Sequence, residues 1–329
     1  MKPTVSDVHV SQALTNISVA FLQNASHFVA DQVFPNIPVT KQADRYYLYD
    51  RGYFNRDEMQ LRAEATESAG GHYSVDNTPT YYAPIYAFHH DIPDPRRANA
   101  DSVLMPDREA TELVTHKALI KREKLWAASH FVGGVWTGGD LDGVASGPGA
   151  GEFLQWNDAS STPIEDVRAG KAAVLESTGF EPNTFVMGYP VWLSMVDHPD
   201  IVDRIKYGQT APGPARVTVE AVAALLELDK ILVMKSIENT ANEGAANAHS
   251  FIGGKKALLC YAAPSPGIMT PTAGYTFSWT GYLGASPMGH RVSKFRMDHL
   301  KADRVEVEMA MDQKLVSSDL GYFFDDAVA

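Results

Sequence analysis

The amino-acid sequence predicts an α+β fold in which strands and helices occupy separate stretches of the chain. Residues 39–92 are rich in tyrosine, a strong strand former, and residues 107–132 form one long helical stretch. Residues 304–311 alternate as a strand does, with valines and methionines on one face and glutamates on the other. The resulting order is an N-terminal arm, a β-loop, a long helix, a mixed block and a return strand. No simple enzyme fold has this order.

Composition limits the classes of function. The chain has 329 residues, of which 45% are hydrophobic and 21% charged, the balance of an ordinary globular protein. Its formal net charge is -12, from 40 acidic and 28 basic residues. A chain that wraps nucleic acid needs clustered lysine and arginine, so this balance argues against that role. The single cysteine, Cys260, excludes an intrachain disulfide.

The first third of the chain predicts an arm followed by a β-ribbon. Residues 1–35 support short helices at most, and Pro35 and Pro38 then impose an extended path. Residues 39–92 contain two β-prone stretches, and the intervening residues 56–71 are too polar to bury. A two-stranded ribbon alone is marginally stable in water. We therefore expect this ribbon to be stabilised by a neighbouring molecule.

Residues 107–132 are predicted to form a helix of about 39 Å, at about 1.5 Å per residue. Asp107 is the expected cap, and Gly133 and Gly134 end the helix. The expected apolar stripe contains residues that repeat every seven positions, namely Leu113, Ile120 and Ala127. The other faces carry charged side chains, namely Arg108, Glu112, Lys117, Lys121, Arg122 and Lys124. Such a helix is only partly covered by its own chain.

The remaining sequence predicts a mixed block. Residues 133–161 are glycine-rich and read as loop or short strand, and Thr162 begins a capping box with Pro163 at the first helical position. Further helices are predicted at 189–196, 200–207 and 218–226, and further strands at 185–187, 231–234 and 275–279. Two apolar stretches flank residues 253–256 and predict a tight hairpin there.

The search for a chemical site gives no convincing candidate. His89, His90, Asp91 and Asp94 are the most ligand-like cluster. Adjacent residues of a strand point to opposite faces, so His89 and His90 cannot both bind one ion without a bulge. The sequence has no G-x-S-x-G or H-E-x-x-H motif. We predict no catalytic residue, no cofactor and no metal site.

Four stretches resemble the tailed-bacteriophage major capsid proteins of the Hong Kong 97-type fold. They are residues 18–50, with the run Arg45-Tyr46-Tyr47-Leu48-Tyr49-Asp50; residues 107–126; residues 156–206, with Thr178-Gly179-Phe180-Glu181-Pro182-Asn183; and residues 218–261. Their order and joint occurrence carry the resemblance, which spans nearly the whole chain.

The resemblance implies a domain organisation. It consists of an N-terminal arm (1–38), an extended loop or E-loop (39–95), a peripheral domain with a spine helix (96–161, helix 107–132), an axial domain (162–290) and a return to the peripheral domain (291–329). Because the fold begins almost at Met1, we expect no fused scaffolding segment upstream.

The resemblance also implies a function and partners. We expect a structural protein that assembles into hexamers and pentamers of an icosahedral shell, in the virion after assembly in the host cytoplasm. The shell encloses double-stranded DNA without sequence-specific binding. Expected partners are further copies, portal and scaffolding proteins and, in some shells, cement or decoration proteins, but no membrane. The alternatives are an encapsulin-type nanocompartment shell and, more remotely, a metal-dependent enzyme built on His89, His90 and Asp94.

The expected contacts with neighbouring subunits lie on the extended loop. Its aromatic side chains offer large faces that a neighbour can cover. The candidate contact residues are Tyr46, Tyr47, Tyr49, Tyr81, Tyr82 and Tyr86.

Overall fold

The computed structural model describes residues 22–100, 104–208, 217–267, 269–284 and 289–329. The helices of this part are α1 (Ala30–Val33), α2 (Arg51–Phe54), α3 (Asp94–Ala98), α4 (Pro106–His130), α5 (Pro163–Thr178), α6 (Tyr189–Asp197), α7 (Pro199–Gly208), α8 (Val219–Leu225) and α9 (Thr280–Leu283). The strands of the first half are β1 (Asn36–Val39), β2 (Ala43–Arg45), β3 (Leu48–Tyr49), β4 (Val75–Asp76), β5 (Thr80–Tyr82), β6 (Ile85–Pro93), β7 (Asp140–Val144) and β8 (Glu152–Leu154). Those of the second half are β9 (Thr184–Gly188), β10 (Lys230–Met234), β11 (Ile237–Asn239), β12 (His249–Phe251), β13 (Ala257–Cys260), β14 (Gly274–Trp279), β15 (His290–Met297), β16 (Ala302–Leu315) and β17 (Gly321–Asp325).

A five-stranded sheet is organised around the long strand β16. Its order is β1-β14-β16-β15, and β6 pairs with β16 as well. The alternation predicted from the sequence is confirmed, because Val305, Val307, Met309 and Met311 are each 2–3% exposed. Pro38 lies in β1, which runs parallel to β14, so the extended path predicted for this segment is also confirmed.

Helix α4 packs across one face of this sheet. It runs from Pro106 to His130, so the predicted helix is confirmed within two residues at its C-terminal end. The predicted cap is wrong. Met105 is the N-cap, and its side chain makes no capping hydrogen bond to the helix. The Asp107 carboxylate instead binds the Arg97 guanidinium at 2.7 Å.

The apolar stripe of α4 differs from the prediction. The residues expected in the stripe are only half-buried, namely Leu113, Ile120 and Ala127. Ala110, Val114 and Ala118 are buried instead, against Ile92 of β6 and the valines of β16. Small alanine side chains let the helix approach the sheet closely, and the larger residues therefore lie at the flanks of the contact.

A six-stranded sheet forms the second layer, in the order β10-β9-β13-β17-β7-β8. Every residue of β9 is buried. Phe323 and Phe324 of β17 are consecutive and both 0% exposed, because they fill two different apolar clusters. One cluster is centred on Trp156 and the other on Trp126. The sheet is therefore covered on both faces.

Two local predictions in this region are wrong. Residues 251–261 do not form a hairpin, because β12 pairs with β11 while β13 pairs with β9 and β17. The capping box of α5 does not form, since the Thr162 side chain accepts no cap hydrogen bond. Helix α5 ends at Gly179, which adopts the left-handed conformation at φ 77°.

The helices predicted at 189–196, 200–207 and 218–226 are present as α6, α7 and α8. Strand β14, within residues 162–290, belongs to the five-stranded sheet, and β7 and β8, within residues 96–161, belong to the six-stranded sheet. Across the described ranges, no helix has both the length and the apolar character needed to cross a bilayer.

Candidate assembly surface

A narrow ribbon leaves the five-stranded sheet, as the sequence predicts. Strand β2 pairs with β5, and β3 pairs with β4, each in a two-stranded antiparallel arrangement. The backbone N–H of Tyr82 donates to the Asp312 carboxylate at 2.9 Å and ties the base of the ribbon to β16. Residues 55–74 contain neither helix nor strand and form its tip. We refer to residues 43–82 as the ribbon.

The six candidate tyrosines separate into two groups. Tyr81 is 6% exposed and stacks on Phe277, with the ring centroids 4.6 Å apart. Tyr46 also packs on Phe277, at 5.5 Å. These two rings pack inside their own chain, where they join the base of the ribbon to β14. In this conformation Tyr81 therefore presents no free face to a neighbour.

The other four tyrosines keep accessible surface. Tyr47 is 66% exposed, Tyr82 58% and Tyr49 36%. Tyr86 is half-buried, and the Lys121 ammonium lies 5.1 Å from its ring centroid. On the single chain, these four remain the candidates for contact with a second molecule.

The most exposed apolar residues of the ribbon are not among the six candidate tyrosines. Met59 is 93% exposed and Leu61 103%, so both side chains lie entirely in solvent. Phe54 and Tyr73 are 51% and 60% exposed and pack on each other at 5.8 Å. The alternation of apolar and polar residues from 58 to 62 indicates apolar side chains at this tip, although the overall composition of residues 56–71 indicates only a polar stretch. Several large apolar side chains exposed on one ribbon are typical of a protein–protein contact.

The segment before β1 is fixed to α4. Phe28, Val29 and Phe34 are 0–2% exposed. The Glu123 carboxylate of α4 accepts hydrogen bonds from the backbone N–H groups of Val29, at 2.9 and 3.1 Å, and of Ala30, at 2.9 Å. Residues 1–21, the rest of the predicted arm, lie outside the described residues.

Burial controls the electrostatics of this attachment. Glu123 is 0% exposed, and desolvation raises its pKa to about 7 against the opposing effect of the two backbone N–H groups. Arg122 beside it is 5% exposed and pairs with Asp31 at 3.3 Å. Arg122 is one of the charged residues that lie outside the predicted apolar stripe, and it is nevertheless buried. Its burial and ion pair fix α1 against α4.

The cluster considered for a metal has other partners. His89 lies opposite Glu306 and His90 opposite Val305, so the two imidazoles occupy opposite faces of the sheet. Asp91 receives two hydrogen bonds from Arg304, at 2.7 and 2.8 Å, and these hold the pKa of its carboxyl below the ordinary value. The Asp94 pKa is likewise lowered, in this case by hydrogen bonds from Arg296. The part of the chain that the structure describes contains no group of three or more residues able to hold a metal ion.

The described part of the chain thus has a six-stranded sheet covered on both faces, a five-stranded sheet with a long helix on one face, and a ribbon that exposes apolar side chains. Comparison with known proteins indicates the class of protein. The chain is 26% identical to the major capsid protein of Pseudomonas phage JBD67 over 321 residues, covering 97% of each protein. It is 22% identical to the major capsid protein of Burkholderia phage BcepMu over 326 residues, covering 95% of each. No protein-family model matches the chain.

Solved structures share the fold. A phage-related protein from Bordetella bronchiseptica matches with a TM-score of 0.67 at 20% identity, over 92% of this chain and 93% of that one. The capsid protein of Cyanophage P-SCSP1u matches with a TM-score of 0.59 at 10% identity, over 99% and 95%. The encapsulin of Synechococcus elongatus matches with a TM-score of 0.56 at 12% identity, over 96% and 93%.

The resemblance to phage major capsid proteins is therefore confirmed over nearly the whole chain. The predicted role, a structural capsid protein and not an enzyme, is confirmed with it. The mixed helix-and-sheet fold is that of tailed-phage capsid proteins. The encapsulin likeness is one of fold alone, and the curated sequence relatives named above are both phage proteins.

Proposed function

We propose that this chain assembles into hexamers and pentamers of an icosahedral shell that encloses double-stranded phage DNA. In this proposal the fold is of the Hong Kong 97 type. The ribbon is the E-loop within 39–95, α4 is the spine helix of the peripheral domain, and the six-stranded sheet with its helices forms most of the axial domain. The proposed boundaries of the other parts are residues 1–38 for the N-terminal arm, 96–161 for the peripheral domain, 162–290 for the axial domain and 291–329 for the return to the peripheral domain.

The observation that carries the proposal is the exposure of the ribbon. A monomeric protein rarely exposes long apolar side chains as completely as Met59 and Leu61, at 93% and 103%. A two-stranded ribbon without a core is also marginally stable by itself. Both features are explained if a neighbouring copy covers the ribbon, with Tyr47, Tyr49 and Tyr82 among the contacts. Many weak contacts of this kind become strong when they act together in a shell.

The proposed setting is the virion, after assembly in the host cytoplasm. Portal and scaffolding proteins are the proposed further partners, with cement proteins as an addition in some shells. The net charge of -12 suits a container for DNA, because such a surface repels the phosphate backbone and binds no sequence.

Electron microscopy of the expressed protein, with and without the products of its neighbouring genes, tests the proposal. Closed shells of uniform size, or rings of five and six subunits, are the expected result. DNA extracted from particles made during phage growth distinguishes a phage capsid from a nanocompartment filled with a protein cargo. Monomers that never form shells, even with scaffolding protein supplied, would overturn the proposal.

A further inference from the structure

A shallow groove opens between the end of β6 and the start of α4. Its volume is about 190 Å³, and its apolar walls come from Ile92, Pro106, Ala110 and Leu113. A cavity of roughly 150 Å³ accepts a group of the size of benzene. The groove is therefore large enough for one large apolar side chain.

The other residues that line this groove are His90, Arg96 and Glu109. Arg96 comes from α3 and Glu109 from the first turn of α4. Neither forms an ion pair with another residue in the described ranges, although most charged residues around them do. The next residues before α4 extend the apolar surface, since Leu104 is 40% exposed and Met105 58%. Within the described part of the chain, the groove therefore combines apolar walls with one cation and one anion that form no ion pair.

The tip of the ribbon carries a complementary sequence. Residues 58–62 read Glu-Met-Gln-Leu-Arg, with an anion at one end, a cation at the other and apolar side chains between. Met59 and Leu61 are almost fully exposed, and the ion pair that Glu58 makes, with Arg56, is long at 3.7 Å. Methionine is unbranched and polarisable, which suits it to an irregular groove.

A tip cannot reach the groove of its own chain. The groove lies at the start of β16, where Ile92 is paired with Asp303. The ribbon base lies near Asp312, about 30 Å along the same strand. From there the ribbon runs farther away, because Arg51 pairs with Asp319 at 2.6 Å, beyond the end of β16. Met59 follows Arg51 by eight residues, a stretch that spans at most about 28 Å.

We propose that Met59 of one copy occupies the groove of a second copy of this chain, with Glu58 facing Arg96 and Arg62 facing Glu109. Leu61 then lies on Leu104 and Met105 of that second copy. This inference rests on the proposed assembly role and specifies the site at which the ribbon is received.

The contact has a geometric consequence. Tip and groove are different surfaces at opposite ends of the five-stranded sheet, so the contact is head-to-tail rather than two-fold symmetric. Repetition of a head-to-tail contact gives a closed ring when the rotation closes and an open filament when it does not. The proposed hexamers and pentamers require the closed ring, in which every tip and every groove is occupied.

Crosslinking between differently substituted chains tests the contact. Chains carrying Met59→Cys and chains carrying Leu113→Cys are mixed, assembled and treated with a short bis-maleimide. Cys260 is buried in the described structure and burial raises its pKa to about 12, so it does not compete for the reagent. We expect crosslinked dimers from the mixture and none from either chain alone. The matched control replaces Leu113→Cys by Phe295→Cys, an exposed site on β15, and should give no crosslink.

Charge reversal supplies an independent test. Glu58→Arg and Arg96→Glu should each lower the yield of assembled particles several-fold, and the double variant should restore it. Shells that form normally, yet give no Met59–Leu113 crosslink and no rescue, would overturn the groove contact and leave the proposed function intact. Failure of the unsubstituted chain to form any assembly would instead overturn the proposed function on which the inference rests.

Discussion

The ring of Tyr81 lies parallel to the ring of Phe277, with the centroids 4.6 Å apart and the planes inclined by 9°. Tyr81 comes from the ribbon and Phe277 from β14, so this stack joins the ribbon base to the five-stranded sheet. Its neighbour in sequence, Tyr82, is 58% exposed. Two adjacent tyrosines therefore have separate roles, one inside the chain and one on its surface.

We predict opposite outcomes for these two residues. Tyr81→Ala removes a buried aromatic ring and should lower the free energy of unfolding by about 3 kcal/mol. Tyr82→Ser, combined with Tyr47→Ser, should leave that free energy nearly unchanged and reduce shell formation. Denaturant unfolding of unassembled subunits and particle yield by sedimentation measure the two effects. If the double variant unfolds as readily as Tyr81→Ala, then Tyr47 and Tyr82 belong to the internal core.

Glu123 should make the stability of the subunit depend on pH. Its folded-state pKa of about 7 lies above the ordinary value of 4.5, so the folded chain binds the proton more tightly than the unfolded chain. Its contribution to the free energy of unfolding is then largest below pH 4.5 and decreases as the pH rises to about 7. The decrease is on the order of 3 kcal/mol.

Glu123→Gln isolates this effect, since glutamine does not titrate. Denaturant unfolding between pH 4.5 and 8 should show a flatter dependence for this variant than for the unsubstituted chain. Glu112→Gln is the matched control on the same helix, because Glu112 is exposed and pairs only with Arg108 among the described residues. An unchanged slope in Glu123→Gln would show that other groups cause the pH dependence.

Lys171 of α5 stabilises the end of α8. Its ammonium donates to the carbonyl oxygens of Leu226, at 3.0 Å, and Glu227, at 2.9 Å. Lys171→Met keeps the length of the side chain but leaves these acceptors unpaired, which should cost about 2 kcal/mol. Arg168→Met, at an exposed position of the same helix, should cost much less. Equal loss in both variants, measured by denaturant unfolding, would exclude this role of Lys171.

Gly188 permits a close approach between two segments of backbone. A Cβ atom at this position would lie 2.0 Å from the carbonyl oxygen of Gly254. Gly188→Ala should therefore force β9 away from the turn before β13 and yield little soluble protein. Gly70→Ala is the comparison, since an added Cβ there meets no atom within 4 Å. The measurements are the yield of soluble protein and the temperature of thermal unfolding. Equal yields and equal unfolding temperatures for the two variants would contradict the expected clash.

Elements with a strong local signal were predictable from the sequence. Helix α4 and strand β16 were found because their periodicity extends over many residues. The buried stripe of α4 was not found, since seven-residue spacing selected Leu113 and Ile120 while the sheet selected the smaller Ala110 and Ala118. The hairpin expected at residues 253–256 failed for a related reason. Its local pattern favours a turn, but pairing with β9 and β17, which are distant in sequence, stabilises β13 more than pairing with β12 would.

The ribbon was predictable from the sequence, but the exposure of its individual side chains was predictable only in part. The tyrosines of the ribbon lie on the two predicted β-prone stretches, yet their spacing does not reveal which rings meet Phe277, a residue 196 positions beyond Tyr81 and 231 beyond Tyr46. Met59 and Leu61 were overlooked because charged neighbours dominate the composition of their segment. Exposure of individual side chains depends on tertiary contacts, and a single sequence does not record it.

Strand β17 has a consequence for the timing of synthesis. It lies between β13 and β7 in the six-stranded sheet, so β7 and β8 connect to the other strands of that sheet only through it. Residues 321–325 leave the ribosome after every other described strand. A nascent chain therefore cannot complete this layer while those residues are still inside the exit tunnel. On the proposed assembly role, we expect chains that are cut short upstream of β17 to be excluded from the particle.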